Sequence, residues 1–238
     1  MQGQFSTDWF GHNVPQWEAW LGSMRGKPGI RAMEVGSFEG RSAIWLCENI
    51  LTGSGSRIDC VDLFRDDPVY GDYRGRFRAN TAPWRERITE HAGRSFDCLR
   101  QLDGPFDIVY IDGWHSAFGA LADGVMSWPL LKVGGVMIFD DYAWAPPGWK
   151  ALPTLPEPGK LRRKWLKWRG RSWRKEHAAR ERAMQERALP ALAVETPRLG
   201  VDGMLATLAG YYEVLGSGYQ LAIRKTRDFD QGQLGHDT

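Results

Sequence analysis

Two periods organise the apolar positions along the first 140 residues. Residues 14–24, VPQWEAWLGSM, set aromatics on one helical face and predict a short helix, which Lys27-Pro28-Gly29 ends. Residues 30–36, IRAMEVG, predict a buried strand, and GSFEGRSAIWLCENIL a turn leading into a helix. A Gly/Ser turn at Thr52 to Ser56 precedes a second strand at 57–62, RIDCVD. Residues 65–83 are polar and broken by Gly and Pro, with helix around Arg74 to Asn80. A third strand at 87–92 and a helix at 94–102 follow. The strongest strand signal is 106–112, FDIVYID. A helix at about 117–131, closed by Lys132-Val133-Gly134-Gly135, leads to a strand at 135–140, GVMIFD. Strand and helix thus alternate, which implies a parallel sheet with helices on both faces, a doubly wound α/β fold.

After Asp141 the alternation stops. Residues 145–159 hold five prolines and read as loop; 160–189 are basic and read as helix from about Trp165. A helix at 202–210 and two strands in 211–225, joined by Gly216-Ser217-Gly218, complete the pattern, and the last dozen residues read as frayed. There is no internal repeat. One domain over 1–238 is expected, with 145–200 as a loop and Trp-rich basic helical insertion, a lid candidate.

Composition narrows the class. The chain is 42% hydrophobic and 25% charged, which fits a globular protein and argues against disorder. No apolar run nears the ~20 residues that span a bilayer. The N-terminal residues lack the basic start and apolar core of a secretory signal, so a cytoplasmic location is expected. Cys47, Cys60 and Cys98 form no CxxC pair and read as small buried hydrophobes. Net charge is +2, yet residues 160–187 hold 12 of the 31 Lys and Arg and only 3 of the 29 Asp and Glu. That segment carries +9 on a body of −7.

Open α/β sheets bind ligands at the carboxyl ends of their strands. Four such ends carry chemistry here. Gly36 to Gly40 makes a glycine turn of spacing G-x-x-x-G, not the G-x-G-x-x-G of dinucleotide folds. Asp62 ends the second strand, where a carboxylate accepts hydrogen bonds from a ribose diol or is simply solvated. Ser95 follows the third strand and either reaches an adenine edge or caps the next helix. Ile111-Asp112-Gly113-Trp114-His115 ends the most apolar strand in an abrupt polar cluster.

The run MEVGSFEGRSAIWL, then CVDLF, GRSFDCL and FDIVYIDGWHSAFGALADGVMSWPLLKVGGVMIFDDYAW resembles class I S-adenosylmethionine-dependent methyltransferases. Within them it is similar to a bacterial group with an IDG-x-H and DDY signature, and in layout to catechol-type and macrolide-sugar O-methyltransferases. The resemblance covers about residues 9–144 and the terminal hairpin. It implies a Rossmann-like sheet of seven strands with the last antiparallel. It also implies that Glu34, Gly36, Ser37, Phe38, Gly40 and Ser42 line the methionine end of S-adenosylmethionine. Asp62 would bind the ribose, Ser95 would sit by the adenine, and Asp112 near the methionine amino group or the metal, with Leu63 and Trp114 counted among the cofactor-binding residues.

Asp112, Asp140 and Asp141 end adjacent predicted strands, and three converging carboxylates repel unless neutralised. A divalent cation, Mg²⁺ by ligand type, would do so, and catechol-type enzymes place metal ligands at these positions. Coordination lowers a hydroxyl's pKa, which points to O-methylation. His115 stands where catechol-type enzymes carry a catalytic Lys; it is a candidate base, or a residue that shapes the loop, and Asp112 is the base if no metal binds. Trp114 either walls the transfer cavity or packs.

The expected acceptor is a small molecule or glycan. The segment 160–187 is read as a lid whose tryptophans pack on the body, or as a surface for an anionic partner or membrane. Nucleic acid, served by an RNA methyltransferase, is the weaker candidate, and a homo-oligomer stays open. The [D/N]-P-P-[Y/F] motif of amino-group methyltransferases is absent, and the glycine spacing disfavours a dehydrogenase. A non-catalytic cofactor-binding protein is the remaining class.

Overall fold

Strands β1 (Arg31–Val35), β2 (Arg57–Asp62) and β4 (Phe106–Ile111) bury nearly every residue, as parallel strands covered on both faces must. With β3 (Ile88–Ala92), β5 (Leu131–Phe139), β6 (Tyr212–Ser217) and β7 (Leu221–Lys225) they form one seven-stranded sheet. Its order is β3-β2-β1-β4-β5-β7-β6; the first five are parallel, and β7 runs antiparallel to both β5 and β6. The computed structural model describes residues 3–144, 157–169, 172–193 and 196–229. Most of the expected proline-rich loop and the last nine residues of the expected frayed tail lie outside these.

The register aligns the strand ends. Val35 pairs with Val61 and with Ile111, and Ile111 with Phe139. Gly36, Asp62, Asp112 and Asp140, each one step further or at the last step, therefore share one edge of the sheet. The strand order reverses between β1 and β4, and the crevice of such folds opens there.

Helices α1 (Val14–Leu21), α2 (Arg41–Asn49) and α3 (Tyr73–Thr81) cover one face. There Trp17 is fully buried, edge-on to Phe10, Trp45 and Tyr110, with its indole N–H donating to Gln220 Oε1 at 2.8 Å. Helices α5 (Ala117–Ser127) and α8 (Pro197–Thr207) cover the other, packing Ala120, Val201 and Met204 over Val109 and Phe139. The short α4 (Ser95–Leu99) follows β3.

Several expected boundaries move, for local reasons. β5 begins at Leu131, before the Gly134-Gly135 pair: Leu131 pairs with Phe106, the next matched pair is Val136 with Ile108, and the residues between form an exposed bulge. The buried Lys225 closes that bend, donating from Nζ to the carbonyls of Leu131 at 2.7 Å and Trp128 at 3.2 Å. α8 starts five residues early because Pro197 suits a first helical turn. Gly216 lies within β6 rather than in the turn; a Cβ there would meet the Trp20 ring at 2.8 Å. The basic segment forms α6 (Lys160–Trp168) and α7 (Trp173–Ala193), with the Arg163 guanidinium 4.5 Å from the Trp173 ring centre. No described helix is long and apolar enough to cross a membrane.

Candidate active site

The site begins where β1 stops. Gly36 turns the chain with φ +90°, and a Cβ on it would lie 1.9 Å from the carbonyl oxygen of Asp112, so glycine alone lets the β1 and β4 ends meet. Phe38 holds the left-handed region at φ +46°. Its N–H donates to Asp62 Oδ2 at 2.8 Å, which fixes the turn. Asp62 Oδ1 accepts from the Phe64 N–H at 3.0 Å and the Tyr73 hydroxyl at 2.8 Å. Asp62 therefore shapes two loops while one side of it faces the cavity.

That cavity has a volume of about 810 Å³. Gly36, Phe38, Asp62, Leu63, Ser95, Asp112, Trp114 and His115 line it, all singled out by sequence. So do Trp9, Arg65, Arg94, Phe96, Phe118 and Asp123, which were not. The lining is mostly apolar with few convergent polar groups, the usual make-up of a cofactor pocket. Ser95 stands at the first helical position of α4, after the N-cap Arg94, so it is not the cap. Burial raises the Asp123 carboxyl pKa, opposed by a hydrogen bond with Ser95.

A smaller recess continues past Gly36, Phe38 and Asp112, lined by Ser37 and Ser42 and roofed by Phe5, Thr7 and Trp9. Residues 5–9 form this roof as a strap. The Ser6 N–H and hydroxyl donate to the two oxygens of Glu39 at 2.7 and 2.8 Å, and Arg41 Nη2 donates to Asp8 at 2.9 Å. Glu39 is itself buried and also accepts from Arg76 at 2.5 Å. Gly40 caps α2 and lines neither space. Glu34 lies beneath the turn, fully buried, accepting from the Ser42 hydroxyl and the Cys60 thiol. Burial pushes its pKa up to about 7.

The acidic ends of β4 and β5 face each other beside the cavity. The Tyr110 hydroxyl donates to Asp112 Oδ2 at 3.0 Å and to Asp140 Oδ2. Asp140 Oδ1 accepts from the Asp141 N–H at 2.8 Å. Asp141 sits at φ +52° and accepts from the Tyr219 hydroxyl. His115 bridges Asp112 and Asp141, with Nε2 3.3 Å from Asp112 Oδ1 and Nδ1 3.0 Å from Asp141 Oδ2. The hydrogen bond to Asp112 raises the imidazole pKa to about 9, against desolvation and with the help of the carboxylate charges. Burial raises the pKa of Asp112 well above the usual range, and the charge of Asp140 adds to it. In this arrangement the His115 proton is the counter-charge of the cluster.

One ligand atom from each of Asp112, His115 and Asp141 lies within 4.8 Å of the others. The set that converges thus differs from the three aspartates expected: Asp140 turns to Tyr110 and its own neighbour's N–H, and His115 takes the third place. Carboxylate and imidazole are donor types found in divalent-cation sites, and an imidazole nitrogen suits Mn²⁺ or a later transition metal better than Mg²⁺.

Residues 33–142 match the family model of a methyltransferase domain. No curated protein sequence matches the chain. Among solved structures it is similar to a putative O-methyltransferase from Klebsiella pneumoniae, with 14% identity over 94% of this chain and 84% of that one, at a TM-score of 0.57. The O-methyltransferase from Bacillus cereus in complex with SAH shares 16% identity over 92% and 83%, TM-score 0.54. A putative rRNA-methylase from Clostridium thermocellum shares 10% over 91% and 97%, TM-score 0.55. At such identities the likeness is one of fold: the seven-stranded methyltransferase sheet with its last strand antiparallel. The sequence match covers residues 33–142, and the sheet order is that of the methyltransferase fold.

Proposed function

We propose that this protein is an S-adenosylmethionine-dependent O-methyltransferase that uses a divalent cation and acts on a small-molecule or glycan hydroxyl. The observation that carries the reading is the Asp112-His115-Asp141 cluster, of which Asp112 and His115 line the cavity. The residues suit the methyl donor. The Gly36 turn leaves backbone room, Asp62 presents a carboxylate at the second strand end, and Leu63 and Phe96 offer apolar walls for a flat base. The recess lined by Ser37 and Ser42 is the polar continuation that an amino-acid tail needs.

Asp112, His115 and Asp141 would hold the cation, and bound there it would lower the pKa of an acceptor hydroxyl and orient its oxygen. Tyr110 and Tyr219 orient the two carboxylates through their hydroxyls. As a ligand His115 would be neutral, with one ring nitrogen committed to the cation and neither available as a base. Trp9, Trp114 and Phe118 line the cavity and offer apolar walls for an acceptor beside the methyl donor. Fold alone leaves the acceptor open, since similar structures include both O-methyltransferases and a putative rRNA-methylase by name.

Calorimetry with S-adenosylhomocysteine, with and without Mn²⁺ and Mg²⁺, is the test. Donor-product binding that Asp62→Ala weakens supports the cofactor reading, and its absence refutes it. Methyl transfer to extracted metabolites that survives chelation would remove the cation and leave the rest.

A further inference from the structure

Helix α6 is built unlike the helices of the body. Trp165 and Trp168 lie three residues apart, about 60° from each other around the helix. Among the described side chains of α6, Leu166 is the buried one, 2% exposed, and it lies about 100° from Trp165 and about 160° from Trp168. Trp168 therefore points away from the buried Leu166, and Trp165 stands to its side. Their exposure agrees: 49% for Trp165 and 82% for Trp168.

Cations surround the indole ridge. Arg162, Lys167 and Arg169 are exposed, and the Arg169 guanidinium lies 5.0 Å from the Trp165 ring centre. The whole stretch 160–187 carries +9. Exposed indoles side by side, edged by Lys and Arg, match the boundary between an anionic headgroup layer and acyl chains. Each basic residue near such a surface adds about 1 kcal/mol of attraction. Single-stranded nucleic acid would need open ring faces in a groove. Here the indoles stand on a convex helix, and a guanidinium already covers Trp165.

We infer that α6 docks this protein on an anionic lipid bilayer, with Trp165 and Trp168 entering the interface and the flanking Arg and Lys on the headgroups. This surface is independent of the cluster at Asp112, so it stands whether or not the protein transfers a methyl group.

The test is co-sedimentation of the full chain with vesicles of phosphatidylcholine alone or mixed with phosphatidylserine. Tryptophan quenching by brominated lipid provides a second readout on the unaltered chain. Expected are binding to the anionic vesicles only, weakening with salt, and quenching. Trp165→Ser with Trp168→Ser should lower partitioning by at least about tenfold, since insertion scales with buried apolar area. Trp168 is 82% exposed and Trp165 49%, and retention of the fold is checked by circular dichroism and an unchanged melting temperature. The inference is overturned if the chain ignores anionic vesicles at low salt. It is also overturned if the double variant binds them equally, or if a single-stranded oligoribonucleotide is bound in preference to them.

Discussion

Glu34 offers a measurement with a sign that can be worked out in advance. Its carboxyl is 0% exposed, and burial raises its pKa from 4.5 to about 7. A carboxyl held higher in the folded state binds its proton more tightly there than in the unfolded chain. Its stabilising effect is complete below the unfolded pKa and is lost as pH rises through the folded one. Ionised, it destabilises the fold by the full shift, about 3 kcal/mol, an order-of-magnitude figure. Linkage puts the cost at about 1 kcal/mol near pH 5 and about 3 kcal/mol near pH 8. Glu34→Gln keeps the volume and the acceptor for the Ser42 hydroxyl but cannot ionise. The assay is urea unfolding of both proteins at the two pH values. Relative to the parent, the variant should gain about 2 kcal/mol between the lower and the higher pH. Taking the difference between proteins cancels the other titrating groups. An equal offset at both pH values would show that Glu34 does not carry this proton and would refute the reasoning.

Other outcomes follow from the same geometry. Gly36→Ala forces a Cβ onto the Asp112 carbonyl at φ +90°; it should cost at least about 2 kcal/mol in urea unfolding and abolish donor binding by calorimetry. Asp112→Asn and Asp141→Asn should each weaken Mn²⁺ binding more than Asp140→Asn does, read by calorimetry; the reverse order would restore the three-aspartate set. Tyr219→Phe, which removes an orienting hydroxyl, should lower metal affinity about 10–100-fold while leaving donor-product binding intact. Lys225→Met removes the buried ammonium that donates to the Leu131 and Trp128 carbonyls at the β5 bend and should destabilise the fold by about 1–3 kcal/mol in urea unfolding.

The strands and their ends were readable because burial on both faces writes a continuous apolar run, and a polar residue closing that run is conspicuous. Asp62 and Asp112 were found in this way. Tyr110 was not, since it sits inside the most apolar stretch, and its hydroxyl matters only because the register of β4 on β5 brings Asp140 beside it. Asp140 and Asp141 are equivalent in sequence; the left-handed backbone at Asp141 turns one toward His115 and leaves the other to Tyr110. Asp123 reads as the polar side of a helix until the fold aims it at the cavity. Gly216 looks like a turn residue but answers to Trp20, nearly 200 residues away.

The strap over the smaller recess has a thermodynamic consequence. Residues 5–9 are held there by a few hydrogen bonds and by ring contacts of Trp9 with Phe38 and Tyr70, not by membership of the sheet. Such a segment opens at lower free energy than the strands beneath it. A ligand that contacts both the turn and the strap is therefore linked to strap closure in both directions: whatever factor the ligand adds to closure, closure returns to affinity. Weakening the Ser6–Glu39 pair should accordingly speed ligand release by letting the strap open more often.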